Sequence, residues 1–445
     1  MKKQFLVALV LLSIAPFGAV AQEIKPVFQV LLTDADKPLP ILISKGRTYD
    51  ANGNEIGRWQ DGTRTMDNYM GLHRYDDQRL LLGVHHNGIN ESDPNHDAAL
   101  AAAYPDGSLI WIDQSNGHPM GLALLIGIKP IEPSDAWKTA YGDDVPFYTS
   151  FDVSDDGVVY VAFADYVLRY APDGKGGFKG PTVAYQLPDG GNGEHWGIST
   201  FSVTGSGPNT RILGGQIGTG YILETKDGEK FDLAGTFTRA GWPPIGGGIS
   251  SIVPHASTGE EFIYTCGFGN NSRGDDSTFY RLARPINSNE EFANDDTYFS
   301  AQGVPGGGDL DYRANFIGDI QGHGELNYVV AYSCPSWNNL GVPFDPERPG
   351  FLGLHDVTQS EAGGQDGEVL SSYTVQIVES SEYRNAAVSE TPTAEWYATE
   401  GTLEVNRPTG AADGACEIIW CSGVYGYGRY VVGDIPVGIS DWSLY

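Results

Sequence analysis

Short apolar runs recur along the chain at a pace of roughly fifty residues, each entered from a polar or glycine-bearing turn. They read Leu80-Leu81-Leu82-Gly83, Arg211-Ile212-Leu213-Gly214, Phe262-Ile263-Tyr264-Thr265, Val329-Val330-Ala331-Tyr332 and Glu417-Ile418-Ile419-Trp420. Val158 to Phe163, after Ser154-Asp155-Asp156-Gly157, is a looser copy. Apolar positions at the 3.6-residue spacing of a helix are almost absent. A repeat of this length builds a solenoid or a propeller, because one unit cannot bury its own apolar face. With strands as the repeating element, the pattern predicts an all-β chain folded as a β-propeller. Strand tips near residues 84, 112, 164, 215, 266, 333 and 421, with further strands around Ser371 to Val378, give seven blades of four-stranded antiparallel sheets.

The turns between the runs carry their own signals. Thr225-Lys226-Asp227-Gly228-Glu229-Lys230-Phe231 resembles the Asp-box of sialidase-like propellers, and Tyr104-Pro105-Asp106-Gly107-Ser108 is a weaker copy. Asp bonds backbone amides and Gly accepts positive φ, so these are devices of turn geometry. Gly318 to Asn327 resembles the calcium loop of integrin-type (FG-GAP-like) repeats, with Asp319 as a metal ligand. Gln321, His323 and Asn327 stand where that family has acids, so a metal-free turn is the preferred reading. Asp413-Gly414-Ala415-Cys416-Glu417 is similar to the tail of another such repeat.

Composition and the chain's ends narrow the setting. Met1 to Ala21 has Lys2 and Lys3, an apolar run and Ala19-Val20-Ala21, the layout of a secretory signal cleaved near Ala21. Residues 22–445 then form a single propeller domain that is secreted or periplasmic, with no membrane span expected. The net charge of −30, or −32 without Lys2 and Lys3, argues against a nucleic-acid partner. The four cysteines are expected as small buried residues, two disulfides being the alternative. Cys416 and Cys421 flank one strand on opposite faces and are not expected to pair. No cofactor is required, and a monomer is expected.

Propeller ligands bind at one end of the central channel, so strand tips are where chemistry is sought. His85 follows the first apolar run, and Trp337 and Tyr425 lie beyond others. Together with His195 and Trp196 they form a polar and aromatic set suited to a sugar, whose rings stack and whose hydroxyls need directed partners.

Asn95-His96-Asp97-Ala98-Ala99-Leu100, then Tyr104-Pro105-Asp106-Gly107, a strand over Ser108 to Ile112 and His118, resembles a stretch of the exported BNR-repeat propeller polysaccharide lyases, the ulvan lyases among them. That resemblance covers about seventy residues. It implies two histidines returned by a hairpin to one rim, a Tyr opening the next strand pair, and an Arg closing it. Phe147-Tyr148 matches the Tyr; Ala164 and Asp165 stand where the Arg belongs, and Arg239 before Gly241-Trp242 is a substitute. The implied reaction is β-elimination in an acidic, uronate-containing polysaccharide. His96 and Tyr148 would act as base and acid, Arg239 would neutralise the carboxylate, and His118 would orient substrate or hold a metal. A structural zinc on the histidines has no tight ligand spacing behind it. The rival is a non-catalytic carbohydrate- or surface-binding propeller, and an arginine at the histidine rim separates the two.

Overall fold

The structure, a computed structural model, describes the backbone of residues 24–31, 42–44, 47–49, 55–58, 66–87, 108–125, 131–132, 134–141, 148–163, 165–188, 200–216, 219–239, 250–254, 261–266, 278–281, 291–292, 297–300, 314–323, 326–333, 350–356, 368–375, 401–406, 415–422 and 426–433. Side chains are described in 25–28, 71–83, 109–118, 120–121, 123, 131–132, 134–139, 151–163, 165–188, 202–214, 221–236, 404, 406, 415–419, 421 and 427–433.

The chain opens with β1 (Ile24–Leu31) and a small meander of β2 (Leu42–Ser44), β3 (Arg47–Tyr49) and β4 (Glu55–Arg58), which among the described residues pair only with one another. The first large sheet is β5 (Met66–Arg74), β6 (Arg79–Asn87), β7 (Ser108–Asp113) and β8 (Pro119–Leu125). After helix α1 (Asp135–Tyr141) come β9 (Tyr148–Val153), β10 (Val159–Phe163), β11 (Tyr166–Pro172) and β12 (Phe178–Gln186). The third sheet holds β13 (Thr200–Thr204), β14 (Arg211–Gln216), β15 (Thr219–Thr225) and β16 (Phe231–Arg239). The fourth has β17 (Ser250–Pro254), β18 (Glu261–Cys266) and β19 (Thr278–Arg281). Then β20 (Glu291–Phe292) joins β16 in parallel, and β21 (Thr297–Ser300) completes the fourth sheet. The fifth is β22 (Ala314–His323), β23 (Leu326–Ser333), β24 (Gly350–Asp356) and β25 (Glu368–Val375). The sixth is β26 (Gly401–Asn406), β27 (Cys416–Ser422) and β28 (Gly426–Val432), closed by β1 from the other end of the chain.

Innermost strands β5, β9, β13, β17, β22 and β26 each approach the next, and β26 returns to β5. The chain is therefore an all-β propeller. Its described residues build six sheets of four or five strands rather than the seven expected. The reason lies in the count of tips. All six apolar runs fall on or overlap the second strand of a sheet, from β6 through β10, β14, β18 and β23 to β27. The extra tip near residue 112 belongs to β7, the third strand of the first sheet, and Ser371 falls on β25, the outer strand of the fifth.

Second strands read as unbroken apolar runs because each sheet is covered on both faces by its neighbours. Every residue of Val159–Phe163 is buried. One face contributes Val159, Val161 and Phe163 to a cluster with Leu81, Leu109 and Trp111 of the first sheet. The other gives Tyr160 and Ala162 to a cluster with Val203, Ile212 and Tyr221 of the third. Cys416 and Cys421 are free thiols buried in β27, and burial pushes Cys416 up to about 12.

Candidate functional site

Hydrogen bonds between neighbouring inner strands give the sheets a common sense. Asp152 near the end of β9 accepts from Val203 N near the end of β13, and Glu404 of β26 accepts from Arg74 N at the end of β5. The first, second, third and sixth sheets thus share one turn end and one loop end. At the turn end, short connections are closed by side chains onto backbone amides. Asp76 accepts from Gln78 N and Arg79 N, Asp113 from Ser115 N, and Asp173 from Lys175 N and Gly177 N. The Asp-box-like segment is such a turn. Asp227 Oδ1 accepts from Glu229 N at 2.8 Å and Lys230 N at 3.0 Å, and these amides hold its carboxyl below the usual range. Gly228 has φ +76°, and its carbonyl accepts Arg169 Nε at 2.9 Å from the second sheet.

The sequence-derived site residues divide between the two ends. His85 lies near the loop end of β6, Tyr148 opens innermost strand β9 there, and Arg239 ends β16. Their side chains are not among the described ones. His96, His195, Trp196, Trp337 and Tyr425 lie outside the described residues. The connections that hold His96, His195, Trp196 and Tyr425 start from Asn87, Gln186 and Ser422, at the loop ends of β6, β12 and β27.

The structure bears on three of the expected residues. His118 is exposed in the β7–β8 turn, where its N–H donates to Asn116 Oδ1 at 2.8 Å and its carbonyl accepts from Asp113 N. It therefore stands at the turn end, and His96, its expected companion, lies outside the described residues. Arg239 sits on the outer strand of its sheet, three strand spacings of about 4.8 Å from innermost β13. That removes its backbone by roughly 14 Å from the channel wall. Asp319 lies in β22 beside a register shift between Ile317 and Ile320, and Gly322 pairs with Asn327 and His323 with Leu326. The segment that resembles a calcium loop thus holds the end of β22 and the start of β23, paired with each other. Among the described residues no three His, Cys, Asp or Glu side chains are grouped to hold a metal.

At the loop end of the second sheet, Asp165 occupies the place where the lyase resemblance asks for arginine. Its side chain is wholly buried. Ser134 Oγ and Gln186 Nε2 both donate to its Oδ2, and Leu187 N donates to its carbonyl oxygen. Ser134 also caps α1, accepting Trp137 N at 3.0 Å, and Trp137 packs into the cluster between the first and second sheets. This position anchors a helix and has no room for a guanidinium aimed at a ligand. Arg74, Arg79, Arg169, Arg211 and Arg429, the arginines whose side chains are described, stand at or bond toward the turn end.

Two polar groupings were not anticipated. His73 lies between Asp152 and Glu404, and Glu417 lies between Arg74 and Arg429. Glu417 did leave a trace in the sequence: a lone acid in the apolar run Cys416–Cys421 must be paired if that run is buried. His73, at the end of a strand, left none.

No protein-family model matches this chain, and no curated protein sequence matches it. Solved structures do. The Dos1 propeller is similar with TM-score 0.39 and 10% identity, over 88% of this chain and 84% of that one. A catalytically inactive virginiamycin B lyase from Staphylococcus aureus, bound to quinupristin, gives 0.36 and 12%, over 83% and 96%. Regucalcin, a calcium-binding protein from Agrobacterium tumefaciens str. C58, gives 0.39 and 11%, over 84% and 94%. Values this low carry no argument about ligand or activity, and the propeller assignment rests on the closed ring of sheets.

Proposed function

We propose that this chain is an exported β-propeller that binds an acidic, uronate-containing polysaccharide at the loop end of its ring. One observation carries the reading. His85, Tyr148 and Arg239 stand at that end of three successive sheets, and the segments with His96, His195, Trp196 and Tyr425 leave from it. The opposite end is occupied by Asp-closed turns. Export rests on the layout of Met1 to Ala21, and cleavage after Ala21 leaves all of β1 in place.

Cleavage by β-elimination is the second reading, favoured by Tyr148. It is the first residue of an innermost strand, paired with Phe163, at the channel mouth where a substrate's C5 proton would be met. His96 would take that proton and Tyr148 would protonate the leaving oxygen. The uronate carboxylate must first be neutralised, because its C5 proton is otherwise weakly acidic. Of the described arginines in the first, second, third and sixth sheets, Arg239 alone stands at the loop end for that task, and it is on an outer strand. Binding is therefore the better-supported function.

Electrophoresis through gels containing ulvan, alginate, pectin or a glucuronate-rich gum, run beside an absorbance assay for unsaturated uronate, separates the readings. Retardation in at least one gel without rising absorbance is the expected result. Rising absorbance that His96→Ala and Tyr148→Phe abolish establishes the lyase instead. No retardation and no absorbance change on any of the four overturns both.

A further inference from the structure

Sheets meet in a propeller through their faces, yet the innermost strand of each also presents unpaired edge amides. At two of these junctions, sixth to first and second to third, they are met by charged side chains. Glu404 on β26 accepts Arg74 N of β5 at 3.1 Å, and Asp152 on β9 accepts Val203 N of β13 at 2.6 Å. Between the two carboxylates lies His73 of β5. Its Nδ1 stands 3.0 Å from Asp152 Oδ1 and 3.5 Å from Glu404 Oε2. One imidazole and two carboxylates thereby tie four consecutive inner strands, β26, β5, β9 and β13.

Among the described residues that imidazole has no substitute partner. Phe151 meets it edge-on at 4.7 Å between ring centroids, and Asn406 Nδ2 donates to the other oxygen of Glu404 at 2.6 Å. The neighbouring cation, Arg74, is turned to Glu417 on β27 and to Asp77. Glu417, itself wholly buried, is held from the other side by Arg429 Nε at 2.7 Å. Charge pairs thus cross from β26 and β27 to β5. The contact between the first and second sheets is backed by the cluster of Trp111, Phe151, Phe163 and Trp137.

We propose that the junction of the sixth and first sheets is a charge-gated clasp. While His73 is protonated, Asp152 and Glu404 are held to it and the ring stays closed. When His73 is neutral, the buried carboxylate of Asp152 and the partly buried one of Glu404 face one another across it without a countercharge, and the ring opens between β26–β27 and β5 before it opens elsewhere. Burying an uncompensated charge is costly, and separating the sheets lets water reach both acids. Opening is local because the apolar contacts between the first, second and third sheets do not depend on the proton.

Hydrogen exchange of the full chain at pH 8, followed by mass spectrometry, tests this with His73→Gln. Peptides over β5, β26, β27 and β28 should exchange about tenfold faster or more than in the parent, while those over β10, β11 and β14 keep the parent rate. Adding Glu404→Gln removes one of the opposed charges and should restore slow exchange at the junction. Parent-like exchange in His73→Gln, uniform acceleration over all sheets, or no recovery in the double variant each overturns the clasp. If His73→Gln does not fold, a double variant that folds by circular dichroism supports the proposal, and one that does not overturns it.

Discussion

Gly228 shows how one residue's backbone sets a contact between sheets. At φ +76° a Cβ would lie 3.0 Å from the backbone carbon and oxygen of Gly207, and neither can move aside cheaply. A left-handed conformation alone costs a residue with a side chain about 1–2 kcal/mol. Gly228→Ala is therefore expected to destabilise by about 2 kcal/mol or more, read as a lower urea midpoint with an unchanged slope. This turn was legible from the sequence because its requirements are local: Thr225, Asp227 and Gly228 satisfy one another within six residues. His73 was not legible, because its partners stand on strands 79 and 331 positions away.

Among elements, the second strands were the most readable and the outer strands the least. Val159–Phe163 is apolar throughout because both faces are covered, whereas β12, the outermost described strand of its sheet, mixes exposed Lys179 and Thr182 with buried Ala184. The pattern that located six sheets is thus a pattern of burial, and a third strand as apolar as Leu109–Ile112 was able to enter the count as a seventh. Helix α1 escaped notice because seven residues give barely two turns of periodicity. Its hold on the second sheet is specific. Ser134→Ala removes both its cap and a donor to buried Asp165, leaving the carboxylate short of a partner. A loss of about 2–3 kcal/mol is expected, measured by chemical unfolding, with Ser134→Thr retaining most of the stability.

For the whole molecule, stability should fall on the alkaline side. Burial alone would lower the pKa of His73, but Asp152 and Glu404 outweigh it and raise it from 6.5 to about 10. The folded value lies above the unfolded one, so the stabilisation is complete below about pH 6.5 and is lost as pH rises through about 10. Tyr170 and Tyr427, pushed up by burial, add to the loss once unfolded tyrosine ionises near 10. A series of urea midpoints between pH 7 and 9.5 should therefore drop more steeply in the parent than in His73→Gln; equal slopes would remove His73 from the account.

The pairing of β1 with β28 has a further consequence, one of timing. Ile24 meets Val432, so a strand made at the start of synthesis waits for one made near the end. At about 5–20 residues per second, that interval is on the order of tens of seconds. Throughout it β1 is without β28, its partner in the closed ring. Whatever threads or shelters this polypeptide must keep Phe28 and its neighbours from pairing with another copy's β28, which would link two rings by an exchanged strand. Dilution during refolding should accordingly favour monomers over dimers.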